Sequence, residues 1–271
     1  MSQTLVMGIV NVTPDSFSDG GDWFDPERAI AHGRQLLSDG ADIIDIGGES
    51  TRPGATRLDS TAEIERIERV ARTLIDEGAS VSIDTVHATT AAAAIKWGAD
   101  YVNDVSGGLA DTAMYRTVAE GIGSGAKVRY ICQHTRGIPE TMNEMRDYPD
   151  GIVVTVIAEL SDRVWAAERA GIPRERIIWD PGLGFAKTGM QDWEVLAHID
   201  KFADLPVLVG PSRKRFIAMV YPEHTQPSER DGATATIAAY LMQRGVWGVR
   251  VHNVTETRAA IRATELIKEA R

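Results

Sequence analysis

Ile177-Ile178-Trp179-Asp180-Pro181-Gly182-Leu183-Gly184-Phe185-Ala186-Lys187-Thr188 runs from an apolar tripeptide through one carboxylate into a glycine-rich turn. The apolar residues read as a strand buried on both faces. Asp180 is then the first polar residue where the sheet opens to solvent, and such strand ends are where α/β proteins bind ligands. The pattern recurs. Ile43-Ile44-Asp45-Ile46 leads into Gly47-Gly48-Glu49-Ser50-Thr51-Arg52, Val81-Ser82-Ile83 into Asp84-Thr85, and Tyr101-Val102 into Asn103-Asp104. Several strands therefore carry polar ends towards one site.

Working outward, apolar runs place strands near 4–10, 41–47, 80–84, 101–105, 128–134, 177–180, 206–210 and 248–252. Helical patterns separate them. The segment 61–77 sets Ile64, Ile67, Val70, Leu74 and Ile75 in one stripe, with Glu65, Arg66, Glu68, Arg69 and Arg72 largely on the other faces. Further helices fall at 26–38, 88–97, 112–120, 151–170, 191–201, 229–244 and 255–270, the first with Asp25 as N-cap and Pro26 near N1. Eight repeats of strand then helix predict an α/β chain folded, over residues 1–271, as a single (β/α)8 TIM barrel with parallel strands. Its active site is expected at the C-terminal strand ends, where the polar residues converge.

A chain of 271 residues with 43% hydrophobic content can bury the core that such a barrel needs. The polar stretches from Thr135 to Asp150 and from Tyr221 to Asp231 read as barrel loops, not linkers between domains. No apolar run approaches about 18 residues and no basic, then apolar, segment opens the chain, so a cytoplasmic protein with no membrane partner is expected. The net charge of −10 argues against a nucleic-acid partner. An anionic substrate must then be caught by a local cluster of Arg, Lys or His. The lone Cys132 excludes an intramolecular disulfide and a multi-cysteine metal site, and reads as a small buried hydrophobe.

The polar strand ends belong to longer motifs: Met7-Gly-Ile-Val-Asn11-Val-Thr-Pro-Asp15-Ser-Phe17-Ser-Asp19-Gly-Gly21, Gly47-Gly-Glu-Ser-Thr-Arg52-Pro-Gly54, Ser82-Ile-Asp84-Thr, Asn103-Asp-Val-Ser-Gly-Gly108, Asp180 to Thr188, Ser212-Arg-Lys214-Arg and Arg250-Val-His252. This set, in this order, closely resembles the dihydropteroate synthase family from about residue 5 to the final helix. The resemblance implies condensation of a dihydropterin pyrophosphate with para-aminobenzoate, releasing pyrophosphate with the help of Mg2+.

By that resemblance Asp84, Asn103, Asp180, Phe185, Gly210 and Lys214 hold the pterin. A buried carboxylate can accept two hydrogen bonds from the ring's guanidine-like edge. Two structural readings stand beside this one: Asp84 as a helix N-cap and Asp180 as the start of an Asx turn before Pro181. Arg250 and His252, two residues apart on one strand, point the same way and would clamp the pyrophosphate with Asn11. A satisfied core histidine is the alternative for His252. Asn11 is the expected Mg2+ ligand, and since a neutral amide alone is a poor magnesium site, the metal should arrive with the pyrophosphate.

No enzyme nucleophile is required, because a cation left on the methylene carbon is delocalised into the pterin. Catalysis is expected to be electrostatic, with Arg250, His252 and Mg2+ on the leaving group, Asp180 favouring the cationic ring and Lys214 beside it. Ser212, at the start of a helix after strand seven, would bind the carboxylate of para-aminobenzoate. Thr51, Arg52 and Pro53 would close over the ring, and a lid carrying Asp15, Phe17 and Asp19 would cover the site. Sulfonamides, which mimic para-aminobenzoate, are expected inhibitors and a homodimer the expected assembly. Lys187 reads as a solvated lysine outside the catalytic set.

Two positions depart from the family pattern. Gln133 precedes His134 where Met is usual, which would make the pocket floor more polar, and Pro211 stands where Ala or Thr is usual, which removes a backbone donor. Both bear on affinity and inhibitor sensitivity. Two rival functions share the barrel: a pterin-binding methyltransferase domain, which would not need a pyrophosphate clamp, and a non-catalytic pterin-binding paralogue, which would be expected to have lost loop or clamp residues.

Overall fold

The computed structural model describes residues 4–13, 25–49, 58–137, 141–222 and 224–270. Eight strands alternate with eight helices: β1 (Leu5–Asn11), α1 (Pro26–Ser38), β2 (Ile43–Gly47), α2 (Ser60–Asp76), β3 (Val81–Asp84), α3 (Ala88–Trp97), β4 (Tyr101–Asp104), α4 (Met114–Gly123), β5 (Arg129–Gln133), α5 (Ile152–Arg169), β6 (Ile177–Asp180), α6 (Gly189–Ala197), β7 (Leu208–Val209), α7 (Asp231–Gln243), β8 (Gly248–Val251) and α8 (Val254–Glu269). The sheet runs β6-β5-β4-β3-β2-β1-β8-β7, with every pair parallel. A parallel bridge from Trp179 to Val207 joins its two edges and closes the expected (β/α)8 TIM barrel.

The alternation is as expected and the differences lie at element ends. β7 keeps only two ladder residues. α6 stops at Ala197, and a 3-10 turn over Ile199–Lys201 completes the expected helix. α1 opens as read, with Asp25 accepting from Glu27 N at 2.9 Å and Pro26 in the first turn. In α2 the buried stripe is Glu63, Ile67, Val70, Ala71 and Leu74, so a carboxyl takes the inward place expected for Ile64. Glu63 accepts from Thr85 Oγ1 at 2.6 Å.

The interior is layered by the period-two alternation of strands. Met7, Ile43, Ile131, Ile178 and Leu208 pack together with Leu5, Tyr101 and Trp247 as an apolar plug. The alternate strand residues, among them Ile44, Ile46, Ile83, Val102, Tyr130, Cys132 and Trp179, belong to the larger core beneath the helices. Two residues beyond the plug, on the same face, stand Asp45 after Ile43, Asn103 after Tyr101, Gln133 after Ile131, Asp180 after Ile178 and Gly210 after Leu208. A polar layer therefore caps the plug at the C-terminal ends of the strands. Cys132 is a buried free thiol, pushed up to about 12 by burial, as its apolar reading required.

Candidate active site

Arg250 organises this layer. Its Nε lies 2.6 Å from Asp45 Oδ2 and its Nη2 2.7 Å from Asp84 Oδ2, which spans the barrel from β8 to β2 and β3. Two carboxylates share one guanidinium, so the cluster stays acidic. Burial, opposed by Arg250 and reinforced by Asp45, pushes Asp84 up to about 7. The helix-cap reading of Asp84 does not hold: the N-cap of α3 is His87, and the Asp84 carboxylate turns to Arg250. Nor does Arg250 face only a leaving group, because its donors are engaged with Asp45 within β2 and Asp84 at the end of β3. Asp45 lies outside the expected site residues, although it is fully buried and central to the cluster.

The raised Asp84 value carries a signed prediction. Between its ordinary 3.8 and about 7 the folded protein keeps a proton that the unfolded chain has released, so this stabilisation is lost as pH rises through about 7. Measured against Asp84→Asn, which cannot titrate, the wild type should lose stability between pH 5 and pH 8 in urea unfolding. A constant difference between the two proteins would show that Asp84 is ionised throughout that range.

Asn103 is 1% exposed, and its Nδ2 lies 3.3 Å and 3.4 Å from the Asp45 oxygens. Its Oδ1 is buried and has no protein partner among the described residues. Buried polar atoms are rarely left so, and an acceptor held open here suits a donor on a ligand. The Asx-turn reading of Asp180 holds and leaves one carboxylate oxygen over. Oδ1 accepts from Gly182 N at 2.7 Å, closing an Asx turn, while Oδ2 faces Gly210. A Cβ on Gly210 would stand 3.7 Å from Arg250 Cβ and 4.0 Å from Asp180 Oδ2, so the missing side chain keeps the space between these two residues open. Burial raises the Asp180 pKa, opposed by Lys214, the Gly182 amide and Arg250.

Lys214 lies beside Asp180, with Nζ donating to Leu183 O and standing 4.7 Å from the centre of the half-buried Phe185 ring. Burial lowers it to about 8. Gln133 is buried and donates from Nε2 to Val105 O at 3.3 Å, so its amide nitrogen is already engaged.

Ser212 needs correction. No α-helix begins there: the chain turns over Pro211–Lys214, with Lys214 N bonded to Pro211 O at 3.2 Å and Arg213 at φ 61, a 3-10 helix over Arg215–Val220 follows with Lys214 as its N-cap, and α7 starts only at Asp231. Ser212 therefore neither opens nor caps a helix, since the cap of the 3-10 helix that follows is Lys214. Its hydroxyl accepts from His252 N at 3.1 Å and lies 2.9 Å from His252 Nδ1. Having accepted from the backbone, it can still either donate to Nδ1 or accept from it, so the contact fixes the place of the ring and not its tautomer. Ser212 thus orients His252. Asn11 ends β1 opposite Gly47 of β2. Asp15, Phe17, Asp19, Thr51, Arg52 and Pro53 lie outside the described residues.

Lys187, expected to be solvated, is 4% exposed. Its chain folds back onto β5, where Nζ lies 2.9 Å from His134 Nδ1. His134 in turn meets Glu159 on α5. No sequence pattern announces this chain of polar groups, because its members are distant from one another along the chain.

A family model described as pterin binding enzyme matches residues 7–252. The dihydropteroate synthase of Mycobacterium leprae is 43% identical over 98% of this chain and 93% of its own length. This chain belongs to the dihydropteroate synthase family. Solved structures of the family superpose closely. The Xanthomonas albilineans synthase with 4-aminobenzoic acid has a TM-score of 0.89 at 37% identity, covering 98% of this chain and 93% of its own. The Yersinia pestis synthase with a sulfonamide drug gives 0.90 at 31% identity, covering 98% and 95%.

Proposed function

We propose that this protein condenses 6-hydroxymethyl-7,8-dihydropterin pyrophosphate with para-aminobenzoate to 7,8-dihydropteroate and pyrophosphate, a transferase reaction of folate biosynthesis. The observation that carries this reading is the convergence of Asp84, Asn103 and Asp180 with Lys214 at one barrel mouth. They offer a pterin's donor edge two carboxylates and an open amide oxygen, and its acceptor side an ammonium. Phe185, beside Lys214, would line the ring's face.

In the reaction the bond from the methylene carbon to the pyrophosphate oxygen breaks, with its electron pair leaving on oxygen. The arylamine nitrogen bonds to that carbon and then loses a proton. Asp180 and Asp84 favour the positive charge that spreads into the ring. Arg250 and His252, held by Asp45, Asp84 and Ser212, stand at the end of β8 where the departing charge would be met. A ring N–H of His252 could donate to a phosphate oxygen.

The described residues contain no group of three or more His, Cys, Asp or Glu side chains able to hold a metal. We expect Mg2+, when bound, to be held by the Asn11 carbonyl oxygen and by the substrate's phosphates. When bound, the ion would neutralise charge on the pyrophosphate. Sulfonamide binding is expected at the para-aminobenzoate site, by analogy with the Yersinia pestis complex. A homodimer would give cover to exposed apolar side chains such as Met190 in the first turn of α6 and Met219, whose sulfur lies beside Gly189. A cytoplasmic location is part of this proposal; no described helix is long and apolar enough to cross a membrane.

The test is an assay of pyrophosphate release. Release is expected only with both para-aminobenzoate and Mg2+ present, accompanied by dihydropteroate. Release without the arylamine would make the protein a pyrophosphohydrolase and sink the reading.

A further inference from the structure

The turn that carries Asp180 and Phe185 is built on left-handed backbone: Gly182, Gly184 and Ala186 have φ of 66°, 76° and 50°. At 182 only glycine fits, since a Cβ would lie 1.8 Å from His134 O. Such backbone persists where surrounding groups over-determine it. Asp192 accepts from Gly184 N at 2.8 Å and Tyr148 donates to Ala186 O at 3.0 Å. The Gly182 and Phe185 carbonyls, at the two ends of the turn, both go to Lys187.

Lys187 Nζ is 3.0 Å from Gly182 O, 3.1 Å from Phe185 O and 2.9 Å from His134 Nδ1. His134 Nε2 is 2.9 Å from Glu159 Oε2, and the same carboxylate accepts from Arg136 Nε at 2.9 Å. A carboxylate can only accept, so the imidazole proton sits on Nε2 and Nδ1 accepts from Lys187. Burial and the neighbouring Lys187 take His134 down to about 3, so it is neutral. Nζ therefore faces three acceptors. An ammonium supplies three donors and a neutral amine two, so the geometry calls for the charged form.

We propose that Lys187 is a positioning residue for the pterin pocket: its ammonium ties both ends of the Gly182–Phe185 turn to His134 at the end of β5, and so sets Asp180 and Phe185 against the ligand. This rests on reading that pocket as the pterin site. Burial lowers Lys187 to about 7 against the opposing pull of Asp192 and Asp180, so the fold bears a cost in keeping the charge there. An apolar side chain of similar length would avoid that cost, and exchanging buried charges for well-packed apolar groups is often neutral for stability. Packing alone does not explain a lysine at this position.

Lys187→Met keeps the length and removes the charge and the donors. Fluorescence titration with 6-hydroxymethylpterin, which lacks phosphate, should show at least a tenfold loss of affinity, while KM for para-aminobenzoate stays within twofold. His134→Leu should weaken the pterin too, and the double variant should be no worse than Lys187→Met alone, because both act through one contact. In the wild type, a side-chain 1H–15N spectrum at pH 6 should show one slowly exchanging lysine ammonium that Lys187→Met lacks. That measurement, with Lys187→Gln as a second variant, keeps the test decisive should the methionine substitution prevent folding. Unchanged pterin affinity in a folded Lys187→Met, or no protected ammonium in the wild type, overturns the proposal. If the wild type itself does not bind the pterin, the pocket assignment fails and this inference with it. If the wild type binds and only Asp180→Asn weakens binding, the pocket stands and Lys187 is merely structural.

Discussion

Arg250→Ala is expected to lower kcat/KM by two to three orders of magnitude and to destabilise the fold in the same stroke. The kinetic loss is the scale of removing one directional donor from a developing anion, about 3–4 kcal/mol. The structural loss has a separate cause. Arg250 is the cation between Asp45, fully buried, and Asp84, and truncation leaves Asp45 only the long contacts from Asn103 Nδ2. Breaking a buried pair by removing one partner costs about 3–5 kcal/mol, since the remaining charge stays buried without compensation. Urea unfolding should therefore show a large drop in midpoint, and affinity for a pterin lacking phosphate should fall as well, because Asp84 is then free to move and to take up a proton. Arg250→Lys should recover part of the stability and little of the rate, since one ammonium cannot span two carboxylates as a fork does. Full stability in Arg250→Ala would mean that the two aspartates do not depend on it.

That double dependence shows where reading the chain stops. The strand order and the polar strand ends follow from short-range pattern: apolar runs end in Asp84, Asn103 and Asp180, and the same alternation that buries Ile178 places Asp180 two residues on. Asp45 obeys the same rule, two residues after Ile43, but it is flanked by Ile44 and Ile46, and an apolar run hides a polar residue that faces inward. Lys187 reads as solvated because lysines near glycine turns usually are, and nothing local reports a partner 53 residues away at the end of β5. Ser212 departs from expectation for a backbone reason. Pro211 and the left-handed Arg213 make a turn where the sequence suggests a helix start, and that turn delivers the hydroxyl to His252. Residues whose role depends on neighbours in sequence are legible; those whose role depends on a neighbouring strand are not.

Asp180→Asn should separate recognition from architecture more cleanly than any other substitution at this site. Asp180 divides its two oxygens, one closing the turn onto Gly182 N and the other facing the space beside Gly210. An asparagine can keep the first contact through its carbonyl oxygen, so the Gly182–Phe185 turn and the fold should survive, with a change in unfolding midpoint far smaller than that of Arg250→Ala. The second contact inverts. An NH2 now points where the pterin's own donors arrive, and a charge-assisted acceptor becomes a donor facing donors. Hydrogen bonds to charged groups contribute about 1.5–3 kcal/mol each, and an unpaired buried donor adds to the loss. Affinity for 6-hydroxymethylpterin should accordingly fall by about 3 kcal/mol, roughly two orders of magnitude. The turnover number should fall too, because the lost negative charge is the one that favours a cationic ring. Isothermal calorimetry on the folded variant is the measurement. Unchanged pterin affinity would place the ring away from Asp180 Oδ2, and a collapse in stability would mean that the carboxylate's charge, not its geometry, holds the turn.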